Sequence, residues 1–162
     1  VAPELRGAPA LIRKATDKGI IISMGHSDAT FAEAAVGYRS GAKGITHIFN
    51  AMRGMHHREP GIAGFGLINK DIYVEVIADP FHLHPGIIDL ILRSKAPERI
   101  IIVSDTVKGA KLLEGGVKDA GGILLGGCMT VTEAAERLAA RGVLRDDIMK
   151  AITENPERYL NN

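Results

Sequence analysis

A chain of 162 residues is long enough to bury one sizeable core, and 46% hydrophobic against 24% charged residues is the make-up of an ordinary globular domain, which excludes a disordered chain. Lys and Arg (20) nearly balance Asp and Glu (19), so the net charge of +1 offers no broad field for nucleic acid or an anionic membrane, while a small anionic ligand stays open. The single cysteine, Cys128, excludes an internal disulfide, and no apolar run approaches the roughly 20 residues that span a bilayer, so a cytoplasmic protein is expected.

In chain order, the pattern predicts a helix over 8–18, stopped by Gly19, then a strand over 20–24 (IIISM). A helix over 30–39, stopped by Gly41, leads to a strand over 44–48 (GITHI). Residues 53–70 (RGMHHREPGIAGFGLINK) are too long and glycine-rich for a simple connection and read as a functional loop. A strand over 72–78 (IYVEVIA) follows, then a helix over 85–94 opened by Pro85, then the most apolar strand, 100–104 (IIIVS). Residues 106–127 form a second long glycine-rich segment, and helices over 130–141 and 145–153 close the pattern. Thr130 with Glu133 is a capping box at the start of the first of these. Short, almost purely apolar strands alternating with helices imply an α/β fold with a parallel sheet. The periodicity leaves two architectures open, a complete doubly wound sheet or part of a longer (β/α)8 barrel. The chain starts at Val1, as expected for a processed chain or a piece of a longer one.

Chemistry gathers after the strands: Gly25-His26-Ser27-Asp28, His47 with Asn50, Asp79 with His82, and Asp105. The carboxyl ends of parallel strands form the ligand face of such folds, so these groups should converge. His26 and His47 suit a divalent, zinc-like ion that accepts nitrogen and keeps a place for water; iron or another divalent metal would also fit. Asp105 is placed to move a proton, which points to metal-assisted hydrolysis. Singly, a strand-end histidine is more often a structural hydrogen-bonder, and Asp105 reads equally as a turn or cap carboxylate.

Arg58, beside His57 in HHREPG, is the anion-binding candidate because a guanidinium fork matches a phosphate; its structural alternative is a loop salt bridge to Glu59 or another acid. Asn50 either orients a ligand or satisfies a turn. Of His82 and His84, one is expected to face the site, and His82 is nearer the strand. The Gly126-Gly127 amides could hold an oxyanion or a hydroxyl, or form a plain turn. Cys128 reads as a packed thiol.

The ordered set GHSDAT (25–30), THIFNAM (46–52), HHREPG (56–61), IADPFHLHP (77–85), VSDT (103–106) and NPERYL (155–160) resembles the N-acetylglucosamine-6-phosphate deacetylases of the amidohydrolase superfamily, across essentially the whole chain. The resemblance implies the second half of a metal-dependent (β/α)8 TIM barrel, one partial catalytic domain over 1–162. It implies hydrolysis of the N-acetyl group of N-acetylglucosamine 6-phosphate. By motif match, His26 and His47 are metal ligands and Asp105 the catalytic acid/base. Asn50, Ala51, Arg58, His82, Leu124, Leu125, Gly126 and Gly127 are substrate contacts, with His57 ranked below them. Arg58 would address the 6-phosphate, and His82 would polarise the acetamide carbonyl or hold the sugar. Many relatives carry serine where this chain has Gly127. The family's metal-binding glutamate precedes the segment seen here, so the chain alone is expected to be inactive, and the whole protein a homodimer. Two rivals are an amidohydrolase with a different N-acyl substrate and a noncatalytic phosphosugar-binding α/β domain.

Overall fold

The apolar runs form a four-stranded parallel sheet of β1 (Ser23–Met24), β2 (Gly44–Ile45), β3 (Tyr73–Ile77) and β4 (Ile100–Val103), in the spatial order β1-β2-β3-β4. The structure is a computed structural model that describes residues 1–107, 117–118, 121–122 and 124–161. Helix α1 (Ala8–Thr16) precedes the sheet, and α2 (Phe31–Arg39), α3 (Gly61–Ile68) and α4 (Pro85–Ser94) connect successive strands. Crossovers between parallel strands are right-handed, so an order that never reverses puts every connecting helix on one face. A doubly wound sheet reverses its order to cover both faces, and this sheet does not.

The side chains follow the same division. Met24, Ile45, Val74, Val76, Ile100 and Ile102 are buried in one cluster with Ile12, Ala34, Ile62, Ile88 and Leu138 from the helices. Tyr73 and Ile101 look the other way, with Ile21 and Val103, and meet Tyr159. The strands pair over fewer residues than their apolar runs: Ile20 is 53% exposed, and beyond Ile45 the second run turns away at His47.

Residues 53–70 are not the uninterrupted loop expected from their glycines. They contain α3, buried from Gly61 to Leu67. Glycine disfavours helix locally, but here it permits close packing: a Cβ on Gly66 would stand 2.6 Å from Ile45 Cδ1 and 3.2 Å from Ile48 Cδ1. The helix end is held by the buried Lys95, whose Nζ donates to the Gly66 carbonyl at 3.0 Å and to that of Asn69.

After β4, β5 (Val117–Lys118) pairs antiparallel with β6 (Leu124–Gly126); the remainder of the expected second loop, 108–116, 119–120 and 123, lies outside the described residues. Helix α5 (Val131–Ala140) opens on the expected capping box of Thr130 and Glu133, and α2 opens on the same device from Thr30 and Glu33. Helix α6 (Arg145–Met149) runs through a π-turn (Lys150–Glu154) into α7 (Asn155–Leu160), extending the expected helix by seven residues beyond 153. The fully buried Asn155 fixes this tail by donating from Nδ2 to the carbonyls of Pro97 and Ile100, both at 2.7 Å. No described helix is long and apolar enough to cross a membrane.

Candidate functional site

Each strand ends, two residues on, in a residue with chemistry: His26 after β1, His47 after β2, Asp79 after β3 and Asp105 after β4. His26 (φ 47°), His47 (φ 32°) and Asp105 (φ 48°) all sit in the left-handed region that non-glycine residues rarely adopt. Such conformations cost of order 1–3 kcal/mol each and persist where the surroundings impose them. Here they swing three candidate side chains off the strand tips.

The parallel register of β1 with β2 brings the two imidazoles together. Nε2 of His26 and Nε2 of His47 are 2.9 Å apart, with the rings edge to face. His47 is 5% exposed while His26 faces solvent. Burial pushes the His47 imidazole below its usual value; the nearby Asp105 carboxylate opposes this, and His26 and His82 reinforce it. His47 is therefore held neutral, the form that donates a lone pair to a metal. These influences also put Asp105 and His82 within electrostatic reach of His47.

Two imidazoles binding one tetrahedral ion at about 2.0–2.1 Å would have their nitrogens roughly 3.3 Å apart. The observed pair needs to part by only a few tenths of an ångström. The spacing of the two nitrogens therefore fits one ion, as part of a seat: no group of three His, Cys, Asp or Glu able to hold an ion occurs among the described residues. The described residues also supply no hydrogen-bond partner for the buried His47 Nδ1, the nitrogen that metal-bound histidines ordinarily give to a second-shell acceptor.

The other expected residues divide by what they touch. The loop after β2 runs beside the one after β1, with Ser27 N donating to the Ala51 carbonyl and Arg53 N to that of Ser27, both at 3.0 Å. Ala51 is thereby brought next to His26, itself at φ 50°. Asn50 serves its own turn, donating from Nδ2 to the His47 carbonyl at 3.2 Å. Glu59 does not pair with Arg58; its Oε1 accepts from Phe31 N and Gly61 N, which lowers its pKa. Arg58 is exposed, touches the His57 ring (Nη1 to Nε2, 2.9 Å), and makes no ion pair among the described residues. His57 in turn stacks on His56. Neither Arg58 nor His57 contacts the histidine pair.

His82 and His84 take different surroundings. His84 caps α4, accepting from Gly86 N, whereas His82 is buried against Asp79. In β6, Leu125 is exposed, Leu124 half-buried and Gly126 buried, as is Gly127 just beyond the strand. The Gly127 amide is already used: it donates to the Asp105 carbonyl at 2.9 Å and so steadies the β4 tip rather than standing free for an oxyanion. Sequence reasoning passed over Glu75, the one acid in YVEVI, although its polarity in an apolar strand is a signal. It is partly buried beneath the site, and burial pushes its carboxyl up, with Asp105 adding and the His47 amide opposing. A cavity between α4, α5 and α6, lined by Leu92, Ile102, Leu138 and Val143, opens on the helical side of the sheet, not at the strand tips.

No family model matches the chain. Individual proteins do. It is 40% identical to the N-acetylglucosamine-6-phosphate deacetylase of Bacillus subtilis over 93% of its length and 36% of that protein's. It is 33% identical to the N-acetylgalactosamine-6-phosphate deacetylase of Escherichia coli O157:H7, over 99% of the chain and 46% of the relative. A solved structure of a mutant N-acetyl-D-glucosamine-6-phosphate deacetylase from Mycobacterium smegmatis, in complex with N-acetyl-D-glucosamine-6-phosphate, superposes with a TM-score of 0.92 at 28% identity, over 99% of the chain and 48% of that protein. The chain is thus homologous, along nearly its whole length, to proteins named N-acetylglucosamine-6-phosphate deacetylase. It spans less than half the length of these relatives. Among the described residues, the strand-tip cluster brings together groups of the kind hydrolysis uses.

Proposed function

We propose that the chain is the second half of a (β/α)8 barrel, one partial catalytic domain, in a protein that hydrolyses N-acetylglucosamine 6-phosphate to glucosamine 6-phosphate and acetate. The observation that carries this reading is the pairing of His26 and His47 at adjacent strand tips, with Asp105 and His82 in electrostatic reach. The unreversed strand order and the single helical face support the barrel, since a barrel closes a singly wound sheet on itself. Closure would also remove the free edges of β1 and β4.

His26 and His47 would hold a divalent ion, zinc by their nitrogen donors and with iron also suited, together with ligands from elsewhere in the protein. When bound, the ion supplies Lewis acidity toward water and toward the acetamide oxygen. Asp105 takes the proton from water as its oxygen adds to the acetamide carbon. Asp105 then returns that proton to the sugar nitrogen as the carbon–nitrogen bond breaks, which leaves acetic acid and the amine, and the acid ionises to acetate as the amine takes up its proton. Arg58 meets the 6-phosphate with a guanidinium that makes no ion pair among the described residues, helped by His57. His82, Asn50, Ala51 and the β6 tip, Leu124 to Gly127, border the sugar. On the family likeness the working form is a cytoplasmic homodimer, and the partial barrel alone is inactive.

The test is acetate release by the natural full-length protein, offered N-acetylglucosamine 6-phosphate and N-acetylgalactosamine 6-phosphate side by side. The second sugar enters because one relative aligned over 99% of the chain is named for it. Release from the first, cut at least a hundredfold by Asp105→Asn, is the expected result, since positioned acid/base groups contribute roughly 10²–10⁴-fold. Exclusive release from the second would move the substrate to the galacto isomer. Release from neither would favour a different N-acyl substrate or a noncatalytic phosphosugar-binding domain.

A further inference from the structure

His82 does not stand alone. Its ring is held by Asp79, the strand-tip acid after β3, whose side chain is 1% exposed while that of His82 is 6% exposed. Asp79 Oδ1 accepts from the backbone amides of Phe81 and His82, both at 2.9 Å. Its Oδ2 faces His82 Nδ1 at 2.8 Å and the Cys128 thiol at 3.6 Å. Burial raises the carboxyl's proton affinity, but the His82 and Phe81 hydrogen bonds overcome it and keep Asp79 ionised.

An ionised carboxylate is acceptor-only. Every group around Asp79 must therefore donate to it, and His82 Nδ1 must carry a proton. In its neutral form the imidazole then has its lone pair on Nε2, a nitrogen with no hydrogen-bond partner among the described residues. From these contacts we infer that Asp79 is a positioning residue that fixes His82 with Nε2 as a hydrogen-bond acceptor, aimed at a donor on the substrate, a hydroxyl or the amide N–H. A carbonyl oxygen facing that lone pair would be repelled unless the ring were doubly protonated. Of the two tasks proposed for His82, holding the sugar is thus the one this arrangement equips it for. The inference rests on the deacetylase reading for the identity of the substrate, and on the Asp79 geometry alone for the tautomer.

Asp79→Asn separates the two. Asparagine Oδ1 still accepts from both backbone amides, but its NH₂ faces Nδ1 and forces the proton to Nε2. In the natural full-length protein with ¹⁵N-labelled histidine, His82 is expected to change from the Nδ1–H to the Nε2–H form. With it, kcat/KM for N-acetylglucosamine 6-phosphate should fall roughly ten- to a hundredfold, the scale of one hydrogen bond made wrong. In a His82→Gln background, Asp79→Asn should cost little further activity, because its effect runs through the ring. The inference is overturned if the wild-type ring carries its proton on Nε2, a result readable even if the variant fails to fold. It is equally overturned if the variant keeps wild-type kcat/KM, or if its loss persists without His82. A tautomer switch in a protein that releases no acetate supports the role of Asp79 and overturns only the deacetylase reading.

Discussion

Replacing Arg58 with alanine separates substrate recognition from folding more cleanly than any other change at this site. The side chain is exposed, and among the described residues its guanidinium contacts only the neighbouring His57 ring, so its loss should alter stability by no more than about 0.5 kcal/mol. Toward a phosphate the same group would offer a charge-assisted hydrogen bond, worth roughly 1.5–3 kcal/mol, or about 10- to 150-fold in binding. Steady-state acetate release by the full-length protein should then show KM for N-acetylglucosamine 6-phosphate raised by that factor with kcat little changed, and no change for unphosphorylated N-acetylglucosamine. Arg58→Lys keeps the charge but not the fork, and should fall between. An equal rise in KM for both sugars, or none for either, refutes the assignment of Arg58 to the phosphate.

Other consequences concern the frame around the site. Asn155→Ala strips two buried carbonyls of their donor and should destabilise the protein by about 2–4 kcal/mol, measured by urea unfolding; a loss below 0.5 kcal/mol would show that the α7 anchor does not matter. Lys95 is pushed by burial from 10.5 to about 8, with Arg99 adding to the shift. Between those values the unfolded chain holds a proton that the folded chain has lost, so its contribution to stability rises with pH from about 8 toward 10.5. Unfolding midpoints at pH 7.5 and 9.5 should differ in that direction, and Lys95→Met should remove the difference; an unchanged difference would relieve Lys95 of the role.

The sequence made the strand tips legible because apolar runs ending in His, Asp or Asn are a local pattern. His26, His47 and Asp105 were readable from three short stretches, and the parallel register then brought the two histidines together. The face of the sheet each helix covers was not readable, since that follows from strand order, a long-range property. Helix α3 was hidden for a related reason: its glycines oppose helix locally and are explained only by Ile45 and Ile48 pressing on Gly66. The Asn50 side-chain amide and the Gly127 backbone amide read in sequence as serving either a ligand or a turn, and in the fold they donate to the His47 and Asp105 carbonyls. Asp79 was visible as a strand-tip acid, but its hold on His82 depends on the turn that follows β3.

The central claim, that His26 and His47 form part of a metal seat that drives amide hydrolysis, is tested most directly by chelation. Metal content and acetate release should be measured together on the full-length protein, before and after a chelator, and on His47→Asn. The account predicts a bound divalent ion in the wild type, activity lost on chelation and restored by zinc, and both ion and activity largely absent from the variant. Full activity in metal-free protein, or a metal content unchanged by His47→Asn, would contradict it.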